Sequence, residues 1–380
     1  MSAKVHFSGL DGLRFISITF VVLHHLFTFK ANFGFTAIDL PVLGTIGYYG
    51  IQFFFAGSGF LITYLLLREY GKYNTISLRS FYARRILRIW PAYYLLIILA
   101  LVVVLKYPFF NIPDLTDTYL QSNFQKGNLL YFLFLPHIVP FSFPTTPYVH
   151  QTYTIGIEEQ FYFIWGMIFF LIPKLTKRVF IGVLLGIVVI NFSHDYFYEV
   201  LKKMEHIKAV DIFLRTATYI KYCRFSTFAI GSLFAFAFFQ HKKWIQVFKS
   251  VYFQLFVYAL LVSSIWFDLY IPYCRDEYIS LIMLCVFGIA AFKETSIINY
   301  SASWLSFLGK VSYGIYLFHI FAIIFAIKIC NNVFHLSFDN YTGMSLLIIV
   351  AMLLSVLFGI ISYYTIEKFF LQIKKRFEKV

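Results

Sequence analysis

The chain has 380 residues, of which 60% are hydrophobic and only 13% are charged, and its mean hydropathy is +0.75. A soluble surface needs more charge than this, so the composition excludes a water-soluble globular protein and predicts an all-α, polytopic membrane protein. The net charge of +14 is divided among many loops, which argues against a nucleic-acid-binding protein with a basic domain.

Hydropathy predicts about ten transmembrane helices. The apolar stretches lie at 15–31, 46–67, 89–106, 155–173, 179–192, 222–239, 251–268, 278–292, 311–330 and 343–366. The first stretch ends in histidines without a small-residue cleavage site, so we expect it to be retained as a span. In the absence of an internal repeat or a Gly/Ser-rich linker, residues 1–380 are predicted to form a single membrane domain with no separate soluble domain.

Charge orients the predicted spans. The 68–88 connection carries six basic residues, Arg68, Lys72, Arg79, Arg84, Arg85 and Arg88, against a single Glu69. The positive-inside rule therefore places this loop in the cytoplasm, and alternation from there predicts that both termini are cytoplasmic. The scheme requires that 128–150, which is interrupted by prolines, is re-entrant or interfacial, and the lysines of 193–221 fit it worst.

The first predicted span contains costly polar residues. Arg14 and His25 are eleven residues apart, about three helical turns, so they share one face at levels roughly 16 Å apart. A polar side chain inside a membrane usually has a function. His24 points about 100° away from His25 and is expected to be a packing or supporting residue.

A basic cluster precedes the third predicted span. Arg84, Arg85 and Arg88 are separated by three or four residues, so on a helix their guanidinium groups form a cluster at its cytoplasmic end. Planar guanidinium groups suit phosphate oxygens. The alternative is a cluster that only sets the topology.

Five ordered segments resemble the motifs of the acyltransferase 3 family, integral-membrane acyltransferases that modify bacterial surface and secreted glycans and some small molecules. They are 10–14 with 21–25, 50–62 around Ser58-Gly59-Phe60-Leu61, 84–91, 157–162 with Glu158-Glu159-Gln160-Phe161-Tyr162, and 308–319 from Leu308 to His319. Two positions depart from the family pattern. Tyr153-Thr154-Ile155 stands where Trp-Ser-Leu is usual, and Phe369 replaces a proline after Glu367-Lys368.

The resemblance implies transfer of an acyl group, usually acetyl from acetyl-CoA, to a hydroxyl of a cell-surface or lipid-linked glycan. It also implies a multi-pass protein of the bacterial inner membrane. The acceptor could receive the acyl group directly or through a separate extracytoplasmic partner protein. No metal is expected, because Cys223, Cys274, Cys285 and Cys330 show no metal-ligand spacing.

Candidate roles follow for the residues of the first three motifs. His25 is the candidate general base, because an imidazole can take the proton of an attacking hydroxyl. Transient acceptance of the acyl group by His25 is the alternative. Arg14 is either a structural ion pair with Asp11 or a donor-site residue that Asp11 orients. Arg85 and Arg88 would bind the phosphates of coenzyme A.

The later motifs give less definite expectations. Glu158 and Glu159 lie about 100° apart, so at most one of them is expected to face a cavity. Glu158 would orient His25 or contact acceptor hydroxyls, and the alternative is a pairing with a cationic side chain on another helix. Ser312, Tyr316 and His319 share one helix face, which fits a substrate-lining stripe and a polar helix–helix seam equally well. Ser58 could line the site or serve close helix packing.

A transporter or flippase for a glycolipid or an anionic solute is the main alternative function. Such a protein would also use polar residues within the membrane, although the missing inverted repeats argue against it. A non-catalytic scaffold would leave the buried charges without a purpose.

Overall fold

The computed structural model describes residues 7, 9–36, 38, 40–121, 125–143, 147–171, 177–203, 207–240, 243–336, 338 and 340–378. This part of the chain is helical throughout and has no strand, as the composition predicts. The α-helices are α1 Gly9–Asn32, α2 Pro41–Tyr73, α3 Leu78–Ile98, α4 Leu115–Gln121, α5 Gln125–Phe132, α6 Val139–Ser142, α7 Tyr153–Leu171, α8 Lys177–Lys202, α9 Lys208–Tyr222, α10 Phe225–Phe239, α11 Val251–Phe267, α12 Arg275–Ala291, α13 Ser303–Lys310, α14 Ser312–Asn332, α15 Tyr341–Ser362 and α16 Lys368–Lys374.

The number of spans is lower than hydropathy alone suggests. Five helical stretches in the described residues are long and apolar enough to cross a membrane, namely Gly9–Asn32, Pro41–Tyr73, Leu78–Lys106, Ser312–Asn332 and Tyr341–Phe377. Two bent helix pairs raise the number to seven if each pair forms one span. The predicted count of ten is therefore not confirmed. Some apolar stretches fall on helices such as α12, whose 17 residues are fewer than the ~20 that a bilayer requires.

The segment 128–150 contains only short helices, α5 and α6, with a 3-10 turn at Pro136–Ile138. None of its described helices is long enough to cross a membrane. This agrees with the expectation that the proline-rich segment does not form a span. The 193–221 stretch is divided between α8 and α9, which are separated at 204–206, outside the described residues.

Helix α14 lies at the centre of the bundle. Its apolar window is 72% buried, the largest buried share among the five single-helix spans. It packs against α15, α1 and α3, and α1 in turn packs against α2. His319, at the end of the late motif on α14, lies beside His25 of α1 in the interior.

Two glycines allow α2 and α10 to approach closely. A Cβ on Gly59 would lie 2.3 Å from the carbonyl oxygen of Phe228, and one on Gly231 would lie 2.1 Å from that of Ala56. Small residues of this kind let helix backbones come into contact in membranes. The contact fixes the position of α2, which carries the second motif.

Several basic segments come together at one end of the bundle. Arg84 donates a hydrogen bond from Nη1 to the carbonyl oxygen of Phe377 at 2.8 Å and forms an ion pair with Glu69 at 3.3 Å. The backbone of α13 at Gly309 packs directly on that of Asp11. The starts of α1 and α3, the end of α2 and the last turns of the chain thus share one end. That this end faces the cytoplasm remains a prediction from charge.

Candidate active site

A cavity lies among α1, α2, α3, α7 and α14. It encloses about 1030 Å³ of empty space, counted out to its open mouth. Most of its lining is aliphatic or aromatic, and four charged side chains face it, those of Arg14, Arg85, Arg88 and Glu158. A mainly apolar pocket with a few charged groups is the usual form of a small-molecule site. We call it the central cavity.

The arginines of two sequence motifs meet in the central cavity. Arg14 is held by Asp11, with 3.0 Å between Nη1 and the carboxylate. Arg85 is buried, stacks 5.6 Å from the ring centroid of Tyr162, and has an Nε atom without a hydrogen-bond partner. Arg88 lines the same cavity. Arg84 does not line it, and its bonds to Phe377 and Glu69 serve the scaffold.

Glu158 belongs to a polar group on the wall of this cavity. The hydroxyl of Ser58 donates a hydrogen bond to Glu158 and lies 3.3 Å from the hydroxyl of Tyr162. Glu159 does not line the cavity. In this structure the hydrogen bond of Glu158 is with Ser58 and not with His25. Ser58 thus has a polar role beside Gly59, the glycine that packs on α10.

The partner of His25 is a second histidine. His25 Nδ1 lies 2.7 Å from Nε2 of His319, and the two rings stack with centroids 4.9 Å apart. His319 Nδ1 lies 2.6 Å from the carbonyl oxygen of Tyr316. A carbonyl only accepts, so this Nδ1 carries a proton and Nε2 of a neutral His319 accepts from His25. The inferred tautomers leave Nε2 of His25 with a free lone pair.

His24 has a different environment. Its Nδ1 lies 3.3 Å from the carbonyl oxygen of Leu43. A Cβ on Gly47 would lie 2.6 Å from the Cβ of His24, so this histidine packs directly on α2. The packing role that helical geometry suggests for His24 fits these contacts.

The stripe on α14 divides between the two parts of the site. Ser312 and Tyr316 line the central cavity, whereas His319 turns to His25. The hydroxyl of Tyr316 donates to the carbonyl oxygen of Gln151 at 2.6 Å, and its ring centroid lies 5.8 Å from that of His319. Tyr316 is therefore the residue that connects the cavity wall to the histidine pair.

Sequence reasoning missed two features of this site. It did not pair His319 with His25, although His319 ends the best-matching motif and lies one turn beyond Tyr316. It also did not single out Tyr162, which stacks on Arg85 and approaches Ser58. Among the described residues, no group of three His, Cys, Asp or Glu side chains could hold a metal ion.

Comparison with known proteins gives consistent matches. "Peptidoglycan O-acetyltransferase OatA" of Listeria monocytogenes (serovar 1/2a, strain EGD-e) is 30% identical over 191 residues, 47% of this chain and 28% of that protein. "Putative peptidoglycan O-acetyltransferase YrhL" of Bacillus subtilis (strain 168) is 34% identical over 161 residues, 42% of this chain and 23% of that protein. A "Putative O-acetyltransferase" of Staphylococcus aureus (strain COL) is 29% identical over 329 residues, 83% of this chain and 50% of that protein.

The matches cover at most half the length of these relatives. No solved structure matches the chain significantly. The family model described as an acyltransferase domain matches residues 7–364, nearly the whole chain. The residues that line the central cavity and the two histidines all fall within that match, and the chain belongs to the acyltransferase 3 family.

Proposed function

We propose that this protein is a membrane-embedded O-acyltransferase of the bacterial cytoplasmic membrane. It moves an acetyl group from cytoplasmic acetyl-CoA to a hydroxyl of a cell-surface or lipid-linked glycan. One observation carries the proposal: His25, with a free Nε2 lone pair, is joined through His319 to Tyr316, which lines the same cavity as three arginines. Such an arrangement combines a base with an anion-binding site.

The lining of the central cavity fits an acyl-CoA donor. Arg85 and Arg88 offer planar donor groups to phosphate oxygens, and the buried, unpartnered Nε of Arg85 is a donor without an acceptor. The apolar walls between these arginines and Tyr316 suit the long, uncharged arm that carries the thioester. Arg14, oriented by Asp11, adds a third cation at the same end.

The histidine pair supports a direct transfer. Nε2 of His25 takes the proton of the acceptor hydroxyl while that oxygen attacks the thioester carbonyl. A carbon–oxygen bond forms, the carbon–sulfur bond breaks, and the departing thiolate takes the proton back from His25. The products are an O-acetyl ester and the free thiol. His319 fixes the ring of His25 and the tautomer that presents the lone pair.

Labelled acetyl-CoA supplies the test. Membranes that contain the protein are incubated with acetyl-CoA labelled in the acetyl group, and the glycans are then extracted. We expect label in the glycan fraction from the wild-type protein and none from a His25→Ala variant expressed at the same level. Uptake of label or of a glycolipid into sealed vesicles, without transfer to a glycan, would identify a transporter instead.

A further inference from the structure

Four rings form a row on α6, α7, α9 and the turn before α7, outside the central cavity. The ring centroids of Phe141 and Tyr222 are 4.9 Å apart, those of Tyr222 and Tyr153 are 5.5 Å apart, and those of Tyr153 and His150 are 5.6 Å apart. Phe141 is 45% exposed, and the other three are half-buried. The row therefore leads from the protein surface inwards. We call it the aromatic row.

The inner end of the aromatic row lies on the side of the candidate base. His150 interacts electrostatically with His25. None of the four rings lines the central cavity, where the arginines lie. The cavity and the row are thus separate regions, and His25 is connected to the cavity wall through His319 and Tyr316 and to the row through its interaction with His150.

The polar atoms of the row are free. Within the described part of the chain, the hydroxyls of Tyr153 and Tyr222 and the ring nitrogens of His150 make no hydrogen bond, and none of these atoms is fully buried. Other tyrosines of the interior differ. Tyr93 and Tyr316, for example, donate to backbone carbonyl oxygens at 2.7 and 2.6 Å. Free hydroxyl groups and ring nitrogens beside edge-on and tilted rings indicate a surface that suits contact with another molecule.

The charged and titratable groups of the row are paired or neutral. Arg224, the N-cap of α10 with a φ of 51°, interacts electrostatically with Tyr153 and Tyr222 and pairs with Asp276 at 2.8 Å. Burial lowers the pKa of His150, so its imidazole is neutral at neutral pH and offers one donor and one acceptor. The row therefore presents ring faces together with donors and acceptors and no unpaired charge.

We propose that the aromatic row is the acceptor subsite and that it takes a pyranose ring with equatorial hydroxyl groups, packed against Tyr153 and Tyr222. This inference rests on the proposed function. A pyranose of this kind has faces of C–H groups and edges of hydroxyl groups. The faces match aromatic rings, and the edges match the free hydroxyls of the tyrosines and the nitrogens of His150. A sugar placed there directs a hydroxyl towards His25.

The test uses the full chain in detergent micelles with acetyl-CoA as donor and the β-1,4-linked tetramer of N-acetylglucosamine as the acceptor probe. Tyr153→Ala and Tyr222→Ala should each raise the KM for the tetramer by about 2- to 12-fold, the equilibrium equivalent of one lost aromatic contact. The KM for acetyl-CoA should not change. Tyr222→Phe, which keeps the ring face, should have the smaller effect.

Two further variants control for folding and position. Phe213→Ala removes a 58% exposed ring from the same helix, α9, and should leave both KM values unchanged. Tyr222→Leu keeps apolar volume against Phe141 but has no aromatic face, and it should behave like Tyr222→Ala. It serves if the alanine variants fail to fold, as judged by thermal unfolding.

The possible failures are distinguishable. A wild-type protein that consumes no acetyl-CoA in membranes overturns the proposed function and this subsite with it. A wild-type protein that consumes acetyl-CoA but neither binds nor acetylates the tetramer overturns only the pyranose assignment. An unchanged KM for the tetramer in folded Tyr153→Ala and Tyr222→Leu proteins overturns the aromatic row as the place where the sugar binds.

Discussion

His25 and His319 are 294 residues apart in the sequence, yet Nδ1 of the first lies 2.7 Å from Nε2 of the second. The hydrogen bond joins α1 to the central helix α14. Since His319 is itself anchored on the carbonyl oxygen of Tyr316, the direction of both protons is set by the backbone. This chain of hydrogen bonds leaves the lone pair of His25 Nε2 free.

Replacing His25 by alanine should abolish acyl transfer without loss of membrane insertion. Removal of a general base typically lowers the rate by a factor of about 10²–10⁴. The measurement is acetyl transfer from labelled acetyl-CoA at matched expression. His24→Ala, which removes a ring held by Leu43, is the control and should have the milder effect. The reverse order of severity would show that the wrong histidine has been chosen.

His319→Ala should lower kcat by about 10²-fold, at the lower end of the general-base effect, and leave the KM for acetyl-CoA unchanged. The physical reason is that His25 loses the acceptor that holds its tautomer. His319→Gln retains an amide oxygen that can accept from His25 Nδ1, so it should keep more activity than the alanine variant. Equal kcat values for both variants would contradict a positioning role for His319.

Arg85→Lys and Arg88→Lys should each raise the KM for acetyl-CoA, because a lysine preserves the charge but cannot offer two parallel donors to a phosphate. Arg84→Lys is the matched control, since Arg84 binds Phe377 and Glu69 outside the central cavity. It should lower thermal stability and leave the KM for the donor unchanged. An unchanged KM for acetyl-CoA with lysine at both 85 and 88 would indicate that the arginine cluster only sets the membrane topology.

We expect the protein to lose stability at acid pH because of His137. Burial lowers the pKa of His137 to about 4, and its Nε2 accepts from the amide of Gln160 at 2.6 Å. The imidazole takes up a proton near pH 6.5 in the unfolded chain and only near pH 4 in the folded protein. The contribution of neutral His137 to the free energy of unfolding is therefore complete above pH 6.5 and is lost as the pH falls towards 4. The loss reaches ~3 kcal/mol at the acid end of this window.

The measurement for this prediction is thermal unfolding of the detergent-solubilised protein between pH 7 and pH 4. In a His137→Gln variant the decrease over this range should be smaller, because the titrating group is gone. His335→Gln, at an exposed histidine, is the control and should retain the wild-type slope. A slope in His137→Gln that equals the wild type would show that other groups cause it.

Cysteine labelling tests the orientation in the membrane. In a background without Cys223, Cys274, Cys285 and Cys330, a cysteine introduced at the exposed Asn74 should react only with reagents that enter the cytoplasm. A cysteine at Asn332, at the far end of α14, should react only from outside. Labelling of position 74 from outside in an active protein would separate the arginines from the cytoplasmic donor pool and contradict the mechanism.

The spacing of residues in the sequence was sufficient to predict the parts of the site that lie on one helix. The eleven-residue separation of Arg14 and His25 and the three-residue separation of Arg85 and Arg88 follow from helical geometry. Contacts between helices were not accessible in this way. The pairing of His25 with His319 depends on how α14 rotates against α1, and nothing within either helix specifies that angle.

The number of spans and the role of Arg84 also depend on the three-dimensional structure and could not be predicted from the sequence. Hydropathy detects apolar runs, but it does not show that α12 ends after 17 residues. Arg84 and Arg85 are neighbours of one type in one motif. Only the packing of the chain end on α3 assigns Arg84 to the scaffold and Arg85 to the cavity.

The glycine contact between α2 and α10 has a consequence for how such an enzyme diversifies. Helix α2 contributes Ser58 to the central cavity, and Arg224, the residue just before α10, lies beside the aromatic row. Because Gly59 and Gly231 bring main chain against main chain, the distance between the two regions is set without any lining side chain. If the row binds the acceptor as proposed, substitutions in it could change the acceptor during evolution without moving α2 and the cavity wall that it forms.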